Sequence, residues 1–299
     1  MPIRLDPDLL PSLLVSIQTS DQNLNTATQQ LSTGLRVNQD SDDPAAAAQL
    51  VNNKDQSGQN DQFLQNIGSL QDQLQVADST LSNVVTVLTR AISIGTEGAN
   101  GTLNNGDRQD IATEVQGLST QLLSLANTTY QGRYIFSGTA VNTQAFSLNS
   151  STNTVSYNGN TNTTSVQVAT GDSLQTNLPG SQLFTNSGGN AFAALQNLQS
   201  SLTSGNNIGQ AVVQVQDALT QLGVQRVFYG NAINHLNNSE NFLNTEQLNL
   251  SSQENTLVAV DPATAATNLA QSEIANESVL SATGRILGLP TLLDFLKQS

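Results

Sequence analysis

FLQNIGSLQDQLQVADSTLSNVVTVLTRA, residues 63–91, decides the fold. Its apolar residues fall at Phe63, Ile67, Leu70, Leu74, Ala77, Leu81, Val84, Leu88 and Ala91. They alternate four and three residues apart without a break, which is the a/d seam of a long helix. Ser41-Asp42-Asp43 before Pro44 is the pattern of an N-cap followed by proline in the first turn, so the helix is expected to start there. From Pro44 to about Ile94, at 1.5 Å per residue, this predicts a rod of roughly 75 Å. One apolar stripe of that length cannot stand alone and must face another helix.

Upstream, Leu10, Leu13, Ile17, Ser20, Leu24, Ala27 and Leu31 carry the same spacing on a shorter helix that Gly34 ends. Downstream, after the Gly- and Asn-rich turn 98–106, Ile111, Val115, Leu118, Leu122 and Leu125 give a third helix. The period then vanishes. Between about Tyr134 and Phe184, Gly, Asn, Ser and Thr dominate, residues 155–157 and 166–168 read as strands, and Asn158-Gly159 reads as a hairpin turn. After a Ser187-Gly188-Gly189 linker, helix returns over 191–202, and from Ile208 through Val212, Val215, Leu219, Leu222, Ile233, Leu236, Leu243, Leu250 and Leu257. Asp261-Pro262 repeats the Asp43-Pro44 start and opens a last helix.

The expected fold class is therefore mainly α with a small β-rich insertion, an antiparallel coiled-coil rod of long helices. Residues 1–43 and 261–299 read as terminal coiled-coil assembly segments, 44–132 and 191–260 as the two halves of the rod, and 133–190 as the insertion. The lengths run as a palindrome about the insertion. The two long helices are expected to pair, as are the two terminal ones, with both chain ends at one pole.

Composition narrows the function. Of 299 residues, 37% are hydrophobic, enough for a core, but charged residues are 11% against about 25% in ordinary chains. Asn, Gln, Ser and Thr must fill the surface instead. There is no Cys or Trp, one His and one Met, which leaves no thiol nucleophile or thiolate metal site and argues against an enzyme or a bound cofactor. The net charge of -14, from 23 acids and 9 bases, argues against nucleic acid and against anionic membranes. No apolar run approaches the 18 or so residues of a membrane span. The apolar stretch 9–17 holds Pro11 and Ser12, follows Asp6 and Asp8, and precedes no small-residue cleavage site, so it does not read as a secretory signal.

Leu31-Ser32-Thr33-Gly34-Leu35-Arg36-Val37-Asn38, followed by Ser41-Asp42-Asp43-Pro44-Ala45, resembles a signature of the flagellin superfamily. Gly101-Thr102-Leu103, Asp107-Arg108, Leu125-Ala126-Asn127 and above all Gly132-Arg133-Tyr134-Ile135-Phe136-Ser137-Gly138 resemble, within it, the branch of hook-filament junction proteins. In the insertion, Tyr157, Gly159, Gly171, Pro179-Gly180 and Phe184 are similar to the same pattern. The sequence departs from it at Pro2, Pro7 and Pro11, and at Pro290.

The resemblance implies a structural adaptor, exported through the flagellar apparatus, that joins the hook, through the preceding hook-associated protein, to the filament. The implied partners are a ring of its own kind, hook-associated protein type 1, flagellin and a flagellar export chaperone. The alternative is flagellin itself; a terminal helix rich in Ala and Gln, absent here, would favour it. An enzyme or adhesin displayed on the insertion is the reading from another class. The motif residues are Arg36, Asn38, Asp42, Asp43, Pro44, Gly132, Arg133, Tyr134, Phe136 and Gly138. The candidate seam for self-association and partners is Leu10, Leu13, Ile17, Leu24 and Leu31 with Leu269, Ile274 and Leu280. These seams could equally form a coiled coil within one chain. Against that stands a surface with Lys54 and Lys297 as its lysines, which lets subunits approach without burying unpaired ions. The resemblance further implies terminal helices that stay loose until assembly.

Other features have plainer readings. Asp40, Asp42 and Asp43 lack the spacing of a calcium loop and read as helix caps. His235 has no carboxylate near it in sequence and reads as a solvent-facing or interface residue. Arg133, where helix gives way to strand, reads as packing at the domain junction. The triplets at Asn127 and Asn149 read as chance in an Asn- and Ser/Thr-rich chain rather than as glycosylation sites.

Overall fold

The computed structural model describes residues 9–287, and expectations that fall on Pro2, Pro7, Pro290 and the apolar tail from Gly288 lie outside them. The chain divides into two units, one made of residues up to Gly58 together with those from Glu246 onward, the other of residues 59–245.

In the second unit the 63–91 seam does what its period predicts. Helix α2, Pro44–Gly98, buries every seam position from Ile67 to Ala91 and leaves Phe63 half-buried. Its facing partner is α6, Ile208–Val258, through Val212, Val215, Leu222, Tyr229, Leu236 and Leu243. The two run antiparallel, since Gln71 donates to Glu240 at 2.8 Å while Arg226 grips Asp78 at 2.6 and 2.9 Å. Arg226 thereby explains the irregular middle of α6: a charged residue beside the seam is tolerated because a carboxylate meets it.

Helices α3, Asn105–Ala126, and α5, Ala191–Ser204, pack on each other. A reciprocal cap starts α3, with the Asn104 side chain accepting from the Asp107 backbone and Asp107 returning the bond.

Between α3 and α5 lie four separate antiparallel strand pairs and the short helix α4, Gly180–Phe184. The pairs are β1–β2 (Thr129–Tyr130, Arg133–Tyr134), β3–β4 (Phe146–Asn149, Thr154–Tyr157), β5–β6 (Ser165–Ala169, Asp172–Gln175) and β7–β8 (Thr185–Asn186, Gly189–Asn190). Strands stand where alternation placed them, at β4 and β5. Two turn assignments are corrected. Asn158-Gly159 closes no hairpin: the Asn158 backbone donates to Ala145 and its side chain to Ser147, holding the chain on course beyond β4. Ser187-Gly188 is no linker but the tip of β7–β8, whose Gly189 lies so close to the Ala218 backbone that a Cβ would sit 2.8 Å from it.

Two-stranded sheets are marginal alone; the β3–β4 pair is held by aromatic rings. Phe146 contacts Phe184, Phe192 and Tyr157 at centroid distances of 5.5, 5.2 and 5.1 Å, and Phe136 meets Phe184 edge-on at 5.3 Å. The Asn127 side chain, at the end of α3, both donates to and accepts from the Phe146 backbone at 2.8 Å, so it stitches β3 to that helix.

In the first unit, α1, Leu9–Thr33, packs antiparallel on α7, Pro262–Leu287, with Asn276 donating to Asp21 at 2.7 Å. Pro11 sits in the first turn of α1, where a missing N–H costs nothing. The start of α2 and the end of α6 lie side by side here too, through amide and hydroxyl contacts such as Gln247 to Ser57 at 2.5 Å and Asn53 to Gln253 at 3.5 Å.

Two outcomes are expected. Phe146→Ala should lower unfolding stability by about 3–5 kcal/mol, and Val224→Ala, at a position 60% exposed, by no more than about 0.5, in urea titrations of the full chain. Hydrogen exchange should run faster through α1 and α7 than through residues 67–91, because the former close on a seam of smaller and more polar side chains.

Candidate functional site

Two features gather the residues singled out by sequence: a joint where α1 gives way to α2 beside the turn from α6 to α7, and the α1–α7 pair it secures.

Gly34, at φ +71°, ends α1 in the left-handed region that glycine enters freely. The chain then runs alongside the α6–α7 turn: the Arg36 backbone donates to Val258 at 2.6 Å and that of Val260 to Gly34 at 3.0 Å, around a bridge of Leu35 with Ala259. The Arg36 guanidinium clamps both sides, donating to the Leu257 carbonyl at 2.8 Å and to Asp43 at 3.0 Å. Asp43 spends its other oxygen on the Ala46 N–H at 3.0 Å, capping α2 one residue before Pro44. Asp42 accepts from the backbones of Asn38 and Gln39, both at 2.9 Å, and the Asn38 amide donates to Leu35 at 2.8 Å. Arg36, Asn38, Asp42, Asp43 and Pro44 thus form one network of caps and clamps. Among the described residues no cluster of His and carboxylates could hold a metal ion.

Two carboxyls here lie below their ordinary range. Asp43 is lowered first by the Ala46 N–H and next by Arg36, and Asp261 by the Thr264 hydroxyl and then its N–H, as it caps α7.

The α1–α7 pair sorts the candidate seam into two groups. Leu13, Ile17 and Leu24 are half-buried in line with buried Ser20 and Ala27, on the face of α1 turned to α7, and Leu269 is half-buried on α7. Leu31, Ile274 and Leu280 point away, 40%, 65% and 51% exposed, as do Leu14 and Val15 at 61% and 60%. Leu10 belongs to α1, and its side chain lies outside the described set. The α7 face that meets α1 runs Ala265, Leu269, Ser272, Asn276, Val279, Thr283 and Ile286. Its heptad spacing was present in the sequence, hidden because four of its seven members are Ala, Ser, Asn and Thr.

The second motif stretch lies in the other unit. Gly132 and Gly138 have φ of +76° and +71°, and a Cβ on Gly138 would strike the Asn160 backbone. Ile135, Phe136 and Ser137 are buried, and the Phe136 carbonyl accepts from Gly180 and from the Tyr157 hydroxyl. The Tyr134 backbone donates to Val141 at 2.8 Å. Arg133 is exposed and lines a cleft with Ser69 and Gln73 of α2. His235 keeps a partly exposed side chain, and folding brings Asp172, distant in sequence, to 2.9 Å from its Nε2, tying β6 to α6.

Because both lowered carboxyls contribute stability above the unfolded value of about 3.9 and lose it as pH falls through their folded values, the first unit is expected to weaken below about pH 4. Melting of full-length Asp43→Asn and Asp261→Asn should show a deficit from wild type at pH 7 that narrows by pH 3. Arg36→Ala should lower the melting temperature of the full chain at neutral pH, because it removes the donors to Leu257 and Asp43 together.

Residues 11–140 match the helical N-terminal region of bacterial flagellin, and residues 206–296 its helical C-terminal region. Flagellar hook-associated protein 3 of Escherichia coli (strain K12) is 42% identical over 120 residues, 40% of this chain and 38% of that protein. Polar flagellin E of Vibrio parahaemolyticus is 32% identical over 140 residues, 46% of this chain and 37% of its own. The chain thus spans well under half the length of these curated relatives. The crystal structure of the flagellar junction protein FlgL from Legionella pneumophila shares the fold, with a TM-score of 0.62 at 19% identity over 71% of this chain and all of that one. With both helical regions of flagellin matched, at the two ends that the joint ties together, the chain belongs to the flagellin superfamily.

Proposed function

We propose that the chain is a structural junction subunit of the bacterial flagellum, which joins the hook, through hook-associated protein type 1, to the flagellin filament. The observation that carries this reading is the α1–α7 pair. Its inner face is covered within the chain, while Leu14, Val15, Ile274 and Leu280 remain exposed on the outside of the pair. Lys54 is the lysine among the described residues, and α1 carries a single acid, Asp21, over its 25 residues. Copies can therefore approach along α1 with little charge to desolvate, whereas α7 brings Glu273, Glu277 and Arg285 to its exposed side.

The greater identity to hook-associated protein 3 than to polar flagellin E supports the junction role over that of a filament subunit. The residues named by sequence serve caps, turns, seams and packing, which supports a structural role over catalysis. Among the described residues no helix is long and apolar enough to cross a membrane. Export through the flagellar apparatus with a chaperone, and a homo-oligomeric ring as the assembled form, complete the proposal.

Immunogold labelling of intact flagella with an antibody to residues 133–190 should give a narrow band at the hook-filament boundary. Label along the whole filament would make this chain a flagellin. Ile274→Asp should leave the circular dichroism and melting of the isolated chain unchanged, because the residue faces outward, yet abolish filament attachment. Normal filaments in that strain would sink the assembly role of this outer surface.

A further inference from the structure

Of the residues 132–138, the fold employs every side chain or backbone turn except the guanidinium of Arg133. Among the described residues of the second unit the other arginines are engaged: Arg90 by Glu114, Arg108 by the Leu103 carbonyl and Asn105, Arg226 by Asp78. The Arg133 guanidinium has no hydrogen bond or ion pair among the described residues, and the residue is exposed. It lines a cleft of about 300 Å³ with Ser69, Gln73, Tyr130, Tyr134 and Asn177, and none of the described residues lining that cleft is acidic.

Its backbone is placed by a tight turn. Gln131 and Gly132, at φ +50° and +76°, make a two-residue turn of the kind that matches strand twist, and it seats Arg133 directly across from Tyr130. Two of the chain's four tyrosines flank the arginine. Tyr and Arg on a fixed turn are the residue types that anchor protein interfaces, and a pre-set geometry lowers the ordering cost of binding. The cleft offers an unpaired guanidinium, phenol hydroxyls and neutral amides, which together suit a carboxylate.

We propose that this cleft docks a carboxylate of a second copy of the chain, with Arg133 as its anchor. Charge complementarity selects that occupant. The chain carries a net -14, and in the same unit Asp61, Glu97, Asp110 and Asp217 are exposed with no ion pair among the described residues. A cation of one copy meeting an acid on a different face of the next is a head-to-tail contact, the type that closes rings. The inference rests on the reading of the chain as a self-assembling flagellar subunit, and adds a contact made by the second unit rather than by the terminal helices.

The chain has no cysteine, so Gln131→Cys places one thiol at the turn tip for a photoactivated thiol-specific cross-linker. Flagella assembled with this full-length variant, photolysed and digested, should yield cross-links to a second copy near Asp61, Glu97, Asp110 or Asp217. Adding Arg133→Glu should cut the yield about tenfold, Arg133→Gln should also lower it, and reversing the identified acid to Arg should restore it beside Arg133→Glu. Cross-links to flagellin or another protein, no cross-link, or a yield indifferent to the charge at 133 would overturn the proposal. Immunogold separates this failure from that of the junction role: a wild-type band at the boundary with no cross-link refutes the cleft alone, whereas a misplaced band refutes the parent reading.

Discussion

A helix with a single apolar stripe is stable only while something covers the stripe, and here that constraint acts twice with different chemistry. From Ile67 to Ala91, α2 offers Leu, Val and Ile at nearly every seam position, and α6 answers with Val, Leu and Tyr229. In the α1–α7 pair the same spacing is filled by Ser20, Ala27, Ser272 and Asn276 among the leucines. The first seam removes far more apolar surface from water per turn than the second. One sequence period thus builds both a firm framework and a deliberately lean pair of ends.

The β-bearing segment depends on that framework rather than on its own ladders. Strands of two to five residues cannot support a sheet by hydrogen bonds alone. Rings from Phe136, Phe146, Phe184 and Phe192, joined by Tyr157, spread over several of these short elements and give them a shared core in a chain with few aromatics. Asn127 then links the core to α3 through two bonds to one backbone residue. The motif from Gly132 to Gly138 lies within this arrangement because it needs two left-handed glycines, a buried ring and a carbonyl with two donors within seven consecutive residues.

Much of this was legible in the sequence, because its strongest signals are local. Heptad spacing, Asp before Pro and Gly after a helix are read within a few residues, and α2, α6 and α7 start where such signals stand. The junction resemblance was readable from the Arg133 to Gly138 stretch in the same way. What escaped the sequence depends on residues far apart in the chain. Asp172 meets His235, Asn160 fills the space beside Gly138, and Arg36 reaches Leu257, none of which has a local signature. Asn158-Gly159 misled for a related reason: its local preference for a tight turn is overridden by bonds to Ala145 and Ser147. Which terminal leucines face inward was hidden as well, since a stripe shows where a partner must lie and not whose chain supplies it.

The joint closes between residues 221 positions apart, and this sets an order of events. Bringing such distant segments together from a disordered chain carries an entropic cost that grows with the intervening length. Pairing within the second unit, as between Gln71 and Glu240, removes most of that length before Arg36 and Leu257 have to find each other. The joint therefore costs least to close once the second unit has paired. A chain whose second unit is unpaired meets a larger entropic cost at the Arg36 clamp than one in which that unit has already closed.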